Sequence, residues 1–419
     1  MEVHTAAQPT VPGIRLVPFY LGITALYGAN QLLVLTARWG IAATGGSAAT
    51  GGTPLLLAAT VVLPMLPQIG VGFLGPERTG GRRPLHAIAL LGAMAVGGAA
   101  ALSWAPGSSG AVLSALLLAA TLFGGWANAL AVPGSQAALM QTLPEAQRVR
   151  GSRDFEIASR LPTVLAPIAG GALIAALGVR PALAGVAVLL GLAAAAFFSR
   201  RTTGRSAPLR AGLALHRSLH VLRDDPWLRA ALVVRGISNL FWPAYMIGLP
   251  LLVLDRLHGG AGSYGGLLAL YGASVLTAAA LSGRLRRAQL RRIYFVSWAV
   301  TGGGFVLVAA APTLPLAALG VILAGAGSPY VHMALDTHIG TEVAPEDQTA
   351  LFAFQRLVIG AMSLLGSLAA AWLLTRATPA QAIGLAGILL AAAGLGGGFA
   401  TLVARAREGP PAGARHPSN

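Results

Sequence analysis

Residues 181–199, PALAGVAVLLGLAAAAFFS, form an unbroken apolar run without a charged side chain. About 20 apolar residues coiled as an α-helix cross the ~30 Å hydrocarbon layer of a bilayer. A helix also satisfies its own backbone hydrogen bonds, which a segment in lipid must do. The run therefore predicts a transmembrane helix, and the remaining sequence decides how many such helices the chain has.

Eleven more runs of this kind occur in the 419-residue chain. Hydrophobic residues make up 55% of the sequence and charged residues 10%, against about 25% charged residues in soluble domains. This composition excludes a soluble globular protein and a disordered chain. The twelve predicted spans are 16–37, 54–74, 85–104, 111–133, 161–178, 181–199, 230–254, 264–281, 293–311, 314–335, 351–375 and 381–403.

The spans form two sets of six, which predicts three regions along the chain. We expect an N-terminal six-helix bundle over 1–199, a cytoplasmic linker over 200–226 and a C-terminal six-helix bundle with a cytoplasmic tail over 227–419. The linker resembles an amphipathic helix that could lie on the membrane surface, with leucines at 209, 213, 219 and 222 and with arginines at 210, 217 and 223 near its polar side. A partly helical linker with scattered charge is the alternative.

All 29 basic residues are arginine, and their distribution orients the spans. Twenty-three lie in alternate segments, and only Arg38, Arg180, Arg256 and Arg376 lie in the opposite segments. Because cytoplasmic segments are enriched in basic residues, we expect both termini in the cytoplasm of a bacterial cell with the chain spanning its inner membrane. The net charge of +16 thus reflects topology, and no nucleic-acid partner is expected.

A weak repeat relates the two sets of spans. Arg160-Leu161 followed by Gly170 corresponds to Arg356-Leu357 followed by Gly366, at similar places in the two halves. Parallel repeats are typical of transporters, in which the substrate site lies at the repeat interface. Duplication is therefore plausible for this chain.

The loop after the second span reads GFLGPERTGGRRPL over residues 72–85. Its acid and arginines can clamp neighbouring helix ends by charge-assisted hydrogen bonds. It resembles the loop between the second and third helices of the major facilitator superfamily, with Glu77 in place of the usual Asp and with Arg78, Arg82 and Arg83 matching basic positions. An ordinary basic loop is the alternative interpretation.

The fifth span contains Ala166-Pro167-Ile-Ala-Gly170-Gly171. Proline bends a helix, and paired glycines let a neighbouring backbone approach closely. The pattern resembles the exporter-associated motif of the same superfamily, although Ala166 replaces a glycine and the earlier glycines are missing. A generic kinked interface of small residues is the alternative.

The resemblance implies an all-α membrane protein with twelve transmembrane helices in two six-helix bundles, the major facilitator fold. It also implies a secondary transporter, most like bacterial exporters of small molecules and drugs, that works by alternating access. We expect a monomer that exports an amphipathic or aromatic compound, with protons as the coupling ion. The fourth span lacks the arginine of many proton antiporters in this superfamily, which weakens coupling by that route.

Arg235, Asn239 and Trp242 lie at i, i+4 and i+7 in the seventh span and so share a face. A charge within a span is costly and is a functional candidate. That face fits an anionic or carbonyl-bearing aromatic substrate, with Trp242 stacking and Asn239 hydrogen bonding. Alternatively, Arg235 snorkels to the cytoplasmic headgroups.

His332 and Asp336, spaced i, i+4 at the end of the tenth span, form the predicted proton-coupling pair. A satisfied cluster at a helix end, with His338 beside it, is the alternative. We also expect gate ion pairs between Arg356 and Asp336, and between Arg160 and either Asp154 or Glu156.

Other polar residues within the spans either join helices or line the cavity. Asn30, Trp126 and Tyr271 are the first candidates, because they come from spans that line the cavity in the superfamily. The predicted substrate-binding residues are Asn30, Gln31, Gln68, Trp126, Asn128, Arg235, Asn239, Trp242, Tyr271 and Gln355.

The sequence gives little support for a soluble enzyme. The sequence contains no cysteine, no His-Glu-x-x-His pair and no phosphate loop of the Walker type, so we expect no catalytic site, no metal and no cofactor. Two alternatives to export stay open: metabolite uptake by the same fold, and a non-transporting membrane protein or membrane-embedded enzyme.

Overall fold

The computed structural model describes residues 16–45, 52–66, 85–106, 109–142, 154–155, 157–198, 211–282 and 287–408. Within these ranges the chain forms thirteen helices and no strand. The helices are α1 (Leu16–Gly45), α2 (Thr53–Val62), α3 (Leu85–Ser103), α4 (Gly110–Thr142), α5 (Pro162–Leu177), α6 (Val179–Phe198), α7 (Ala211–Asp224), α8 (Pro226–Asp255), α9 (Ala261–Ser282), α10 (Arg287–Ala310), α11 (Leu314–Glu342), α12 (Pro345–Leu374) and α13 (Pro379–Glu408).

Eleven of the described helices are long and apolar enough to cross a membrane. Helix α2 is the described beginning of the second predicted span, and residues 67–74 of that span lie outside the described residues. The remaining helix, α7, lies in the predicted linker. The prediction of an all-α, multi-pass membrane protein is therefore confirmed.

Several helices run beyond the apolar stretch from which they were predicted. Helix α1 continues to Gly45 instead of ending at residue 37, α4 continues to Thr142 instead of 133, and α11 continues to Glu342 instead of 335. Hydropathy detects only the part of a helix that can lie in lipid, whereas the helix itself extends until its backbone hydrogen bonding stops. As a consequence, Arg38 lies within α1 and His338 within α11.

The helices pack in two groups that follow the chain. In the first half, α1 packs on α4, α5 and α6, and α3 packs on α4 and α6. In the second half, α10 packs on α11 and α13, α8 on α12 and α13, and α9 on α11. The halves meet where α5 packs on α9, α2 on α12 and α1 on α8.

Helix α7 connects the halves and packs on α12 of the second half. Ser218 and Leu222 are buried, whereas His220 and Asp224 are exposed and 3.4 Å apart. The linker is thus helical over Ala211–Asp224, and the buried face of α7 lies on protein.

The two ends of the helix bundle differ in how the halves meet. At the end where α1 finishes, Trp39 stacks on Tyr264 of α9 with ring centroids 5.9 Å apart, and Arg38 Nη1 donates to Met246 Sδ at 3.1 Å. Both contacts join the first half to the second, so this end is closed. We call it the closed end.

At the other end, which we call the arginine-rich end, α5, α8, α10 and α12 begin. Charged side chains are exposed there on both halves: Arg160 before α5, Asp336 on α11 and Arg356 on α12. Helix α4 packs mainly on α1 and α3, and helix α11 packs mainly on α9 and α10, so each packs mainly within its own half. Among the described residues, these exposed charges lie at the arginine-rich end, whereas the aromatic contact between the halves lies at the closed end.

Candidate functional site

The centre of the second half holds a buried cation, Arg235 of α8. Its side chain is 7% exposed, so it packs within the helix bundle. Its guanidinium lies over the ring of Trp298 on α10, 5.6 Å from the ring centroid. Its Nε has no hydrogen-bond partner among the described residues. A desolvated cation at this depth needs compensation by nearby groups.

His332 of α11 is the main hydrogen-bonding neighbour of this guanidinium. Arg235 Nη2 lies 3.2 Å from His332 Nδ1 and 3.5 Å from His332 Nε2. The imidazole is itself exposed and lies within electrostatic range of Arg160 in the first half. His332 therefore lies between the buried guanidinium and the space between the two halves.

Asp336, one helical turn after His332, is also exposed. It lies within electrostatic range of Arg235 and of Tyr294 on α10. The structure thus places the two members of the predicted coupling pair beside the predicted substrate-binding arginine. Their role in coupling stays a prediction.

Asn239 lies on the predicted face of α8, but its side chain is engaged by protein. Its Nδ2 donates to the carbonyl oxygen of Arg235 at 2.7 Å, and its Oδ1 accepts from Ser363 Oγ on α12 at 3.4 Å. Ser238 Oγ donates to the same Arg235 carbonyl at 2.7 Å. In this conformation Asn239 therefore joins α8 to α12, as polar residues between membrane helices commonly do.

An aromatic cluster surrounds Trp242, which lies about two helical turns after Arg235 on α8. Trp242 contacts Tyr271 of α9 and Phe305 of α10, with ring centroids 5.8 and 5.4 Å apart, and Tyr245 stacks on Phe305 at 4.3 Å. Trp242 and Tyr271 are half-buried, whereas Tyr245 and Phe305 are fully buried. The first two rings are therefore the accessible edge of the cluster.

The polar residues predicted in the first half lie elsewhere. Asn30 and Asn128 line a small, mainly apolar cavity between α1, α4 and α6, and Asn128 Oδ1 has no hydrogen-bond partner among the described residues. Trp126 is 43% exposed and Gln31 half-buried. The structure brings the two asparagines together in the first half, whereas Arg235 lies in the second half.

Of the remaining predicted residues, some have a described burial and the others lie outside the described ranges. Gln355 of α12 is buried, at 7% exposure, and Asp154 is half-buried. The ion pairs proposed for Asp154, Arg160, Asp336 and Arg356 stay predictions. Outside the described residues lie Gln68, Glu77, Arg78, Arg82, Arg83 and Glu156.

The glycine motif of α5 forms the contact with α9. A Cβ added to Gly171 would lie 3.0 Å from the Ala261 carbonyl oxygen, and one added to Gly265 would overlap the carbonyl oxygen of Pro167. Gly170 faces α1 instead, where an added Cβ would be 2.5 Å from Leu32 Cδ1. Pro167 and Gly171 therefore allow the backbones of the two halves to touch.

Asp225, the residue before α8, ties three helices together at the arginine-rich end. Its Oδ1 caps α8 by accepting from Leu228 N at 2.9 Å, and its Oδ2 lies 2.5 Å from His338 Nε2 of α11. The ring of His338 packs on Trp227, over which Arg291 of α10 also lies.

The charge of Asp225 is stabilised by these neighbours. Burial raises the pKa of the carboxyl, but the hydrogen bonds from His338 and from the Leu228 N–H, with the positive charge of Arg291, lower it more, so the pKa lies below its ordinary value. Asp225 is therefore a carboxylate at neutral pH.

Two residues and one contact that the structure shows were not predicted from the sequence. Arg38 was counted as a loop residue because the predicted first span ended at residue 37. Trp298 was overlooked because an aromatic residue in an apolar span carries no functional signal by itself. The bond between Asp225 and His338 joins residues 113 positions apart, and only coordinates show such pairing.

No protein-family model and no curated protein matches this sequence. Solved structures match it over nearly its full length. An auto-inhibited peptide transporter of the POT family has a TM-score of 0.70 at 12% identity, covering 97% of this chain and 99% of that chain.

Two other solved structures of transporters are also similar. A bacterial homologue of the human lysosomal transporter Spinster, in an inward-facing and unoccupied conformation, has a TM-score of 0.65 at 13% identity and covers 92% of this chain and 96% of that chain. The human organic anion transporter MFSD10 (TETRAN) has a TM-score of 0.59 at 19% identity, with 92% and 98% covered.

At these identities the likeness establishes the fold alone. The similar structures are of transporters, and their likeness confirms the predicted all-helical major facilitator fold.

Proposed function

We propose that the protein is a secondary active transporter that moves a small organic molecule across the membrane by alternating access, coupled to protons. The observation that carries the proposal is the Arg235–His332 contact. In it a buried cation meets an exposed titratable ring, and the proposal draws further support from the half-buried aromatic residues Trp242 and Tyr271 and from the aromatic contact that joins the halves at the closed end.

The arginine distribution supports a cytoplasmic arginine-rich end, with both termini on that side. On this orientation the structure is an inward-facing conformer in a bacterial inner membrane. The contact between Trp39 and Tyr264 then acts as the external gate, and the charged groups around His332 face the cytoplasm. The protein is proposed to act as a monomer.

The direction of transport distinguishes two candidate functions, export and uptake. Export is supported by the Pro167-x-x-Gly170-Gly171 pattern, in which the backbone of Gly171 lies directly on α9. Uptake is supported by the position of His332, since its protonation places positive charge where an anionic substrate is attracted. Amphipathic or aromatic compounds suit either candidate, because Trp242 and Tyr271 are accessible rings.

The test is flux in vesicles reconstituted with the purified protein. An imposed pH gradient should accelerate the movement of a labelled aromatic compound relative to empty vesicles. Loss of the gradient by an ionophore should abolish that acceleration. Flux equal to that in empty vesicles, with every aromatic probe and both gradient directions, contradicts the proposal.

A further inference from the structure

We propose that Arg235 and His332 form a binding site for an organic anion with an aromatic ring, and that this anion binds together with a proton on His332. The inference rests on the proposed function, because it names the substrate class of the cleft between the halves. It also fixes the relation between substrate and proton, which the fold leaves open.

The geometry makes the Arg235–His332 bond possible only while the imidazole is neutral. Nη2 of Arg235 lies within 3.5 Å of both ring nitrogens. In either neutral tautomer one nitrogen carries no proton, and that nitrogen accepts from the guanidinium. In the imidazolium both nitrogens are donors, so no acceptor remains and two cations face each other.

The exposed side chain of His332 lies between the buried guanidinium of Arg235 and the cleft. Arg235 is 7% exposed and its Nε lacks a partner among the described residues, whereas His332 is exposed. Protonation weakens the contact and frees guanidinium donors toward the cleft. A carboxylate or sulfonate matches those donors, because planar guanidinium groups bind such anions through two parallel hydrogen bonds.

The surrounding charges favour an anion over a cation at this point. The titratable and charged groups of the neighbouring elements are Arg235 on α8, Arg160 before α5, Tyr271 on α9, Tyr294 on α10, Asp336 on α11 and Arg356 on α12. Asp336 and the two arginines within range of His332 leave the site positive once the ring is protonated. A bound anion offsets that charge, so proton and anion each favour binding of the other.

The aromatic part of the ligand has a place beside the anion site. Trp242 and Tyr271 are half-buried and 5.8 Å apart, and Tyr271 lies within electrostatic range of Arg235. A ring held there stacks on accessible aromatic faces while its anionic group points at the guanidinium.

Joint binding has a consequence for direction. A proton and an anion that bind together move together, so a proton gradient directed into the cell drives uptake. A proton-driven exporter instead needs the proton and the substrate to compete. The Arg235–His332 contact therefore favours the uptake candidate over export.

The first measurement is binding of 4-toluenesulfonate to the purified full-length protein, followed by tryptophan fluorescence between about pH 8 and about pH 6. A sulfonate stays ionised over this range, so any pH dependence belongs to the protein. The affinity should rise on acidification, by at most about tenfold per pH unit for one proton. The neutral isostere 4-toluenesulfonamide should show no such rise.

Two substitutions separate the roles of the residues. R235Q should weaken sulfonate binding about ten- to 100-fold and leave sulfonamide binding unchanged. H332Q should make sulfonate affinity independent of pH, because glutamine accepts a hydrogen bond but does not titrate. H220Q and R376Q are matched controls at exposed positions and should bind like the unsubstituted protein.

The inference is wrong if the unsubstituted protein binds sulfonate no better at low pH, a result that requires no variant to fold. It is also wrong if folded R235Q binds sulfonate normally. Vesicles that accumulate a neutral or cationic aromatic compound but never the sulfonate contradict the inference while supporting the proposed function. Sulfonate binding with the expected pH dependence, but no flux of any probe, supports the site and contradicts the proposed function.

Discussion

Trp39 of α1 and Tyr264 of α9 stack across the two halves with an interplanar angle of 22°. Both side chains are buried, at 7% and 1% exposure, and Arg38 beside Trp39 reaches Met246 of the second half. These contacts close one end of the space between the halves. An alternating-access transporter has to break them in each cycle.

Replacement of Trp39 by alanine should open the closed end. The chain contains no cysteine, so a single cysteine at position 239 reports access to the centre without background. We expect an impermeant maleimide, added outside intact cells, to label N239C several-fold faster in W39A than in the parent. W372A removes a tryptophan that is 59% exposed and should leave the labelling rate unchanged. Equal rates in W39A and W372A contradict the gate.

Leucine at Gly265 should block transport. A side chain there overlaps the carbonyl oxygen of Pro167, and overpacking of this kind costs about 1–3 kcal/mol. We expect G265L to lower the thermal unfolding temperature in detergent and to abolish gradient-driven flux. Gly266 is the matched control, since its added Cβ meets nothing within 4 Å. If G265L and G266L behave alike, the α5–α9 contact is not a close backbone contact.

Neutralising Asp225 should destabilise the second half at neutral pH. D225N retains an oxygen that can cap α8, and it loses the charged bond to His338, which is worth about 1.5–3 kcal/mol. D224N, whose parent side chain is 68% exposed, should be neutral. The measurement is the free energy of unfolding of both variants in denaturant.

The pH dependence of this effect has a definite sign. Because the pKa of Asp225 is lowered in the folded protein, its stabilisation is complete above about pH 4, the ordinary range of the unfolded carboxyl, and is lost as the pH falls through the folded pKa. The difference between D225N and the unsubstituted protein should therefore shrink below about pH 4. A difference that persists there contradicts the assignment.

Cysteine labelling should also test the orientation set by the arginines. A cysteine at Ser206 or Ser418 should resist an impermeant maleimide in intact cells, and one at Thr378 should react. The reverse pattern contradicts the proposed topology, as would a reaction at only one of Ser206 and Ser418.

Much of the fold could be predicted because lipid imposes a strict rule on backbone hydrogen bonding. The apolar runs located the spans of the described helices, and the loop motif indicated the major facilitator fold. Helix ends were predicted less well, as Arg38 shows, because polar residues beyond the lipid layer continue a helix without a hydropathy signal.

The site was only partly predictable. The spacing of Arg235, Asn239 and Trp242 placed them on one face, but the partner of each depends on other helices. Asn239 is engaged by Ser363 of α12, and Arg235 by His332 of α11. Pairings across 97 or more residues follow from tertiary packing, which one sequence does not encode in its local pattern.

Distance changes between the halves test alternating access most directly. Spin labels at Ile157 and Gly340 report on the arginine-rich end, and labels at Ala105 and Gly260 report on the closed end; all four positions are exposed. Pulsed dipolar spectroscopy on the reconstituted protein, with aromatic anion added at low pH, should show the first distance shortening as the second lengthens. Two distances that stay fixed, or that change in the same direction, contradict the account.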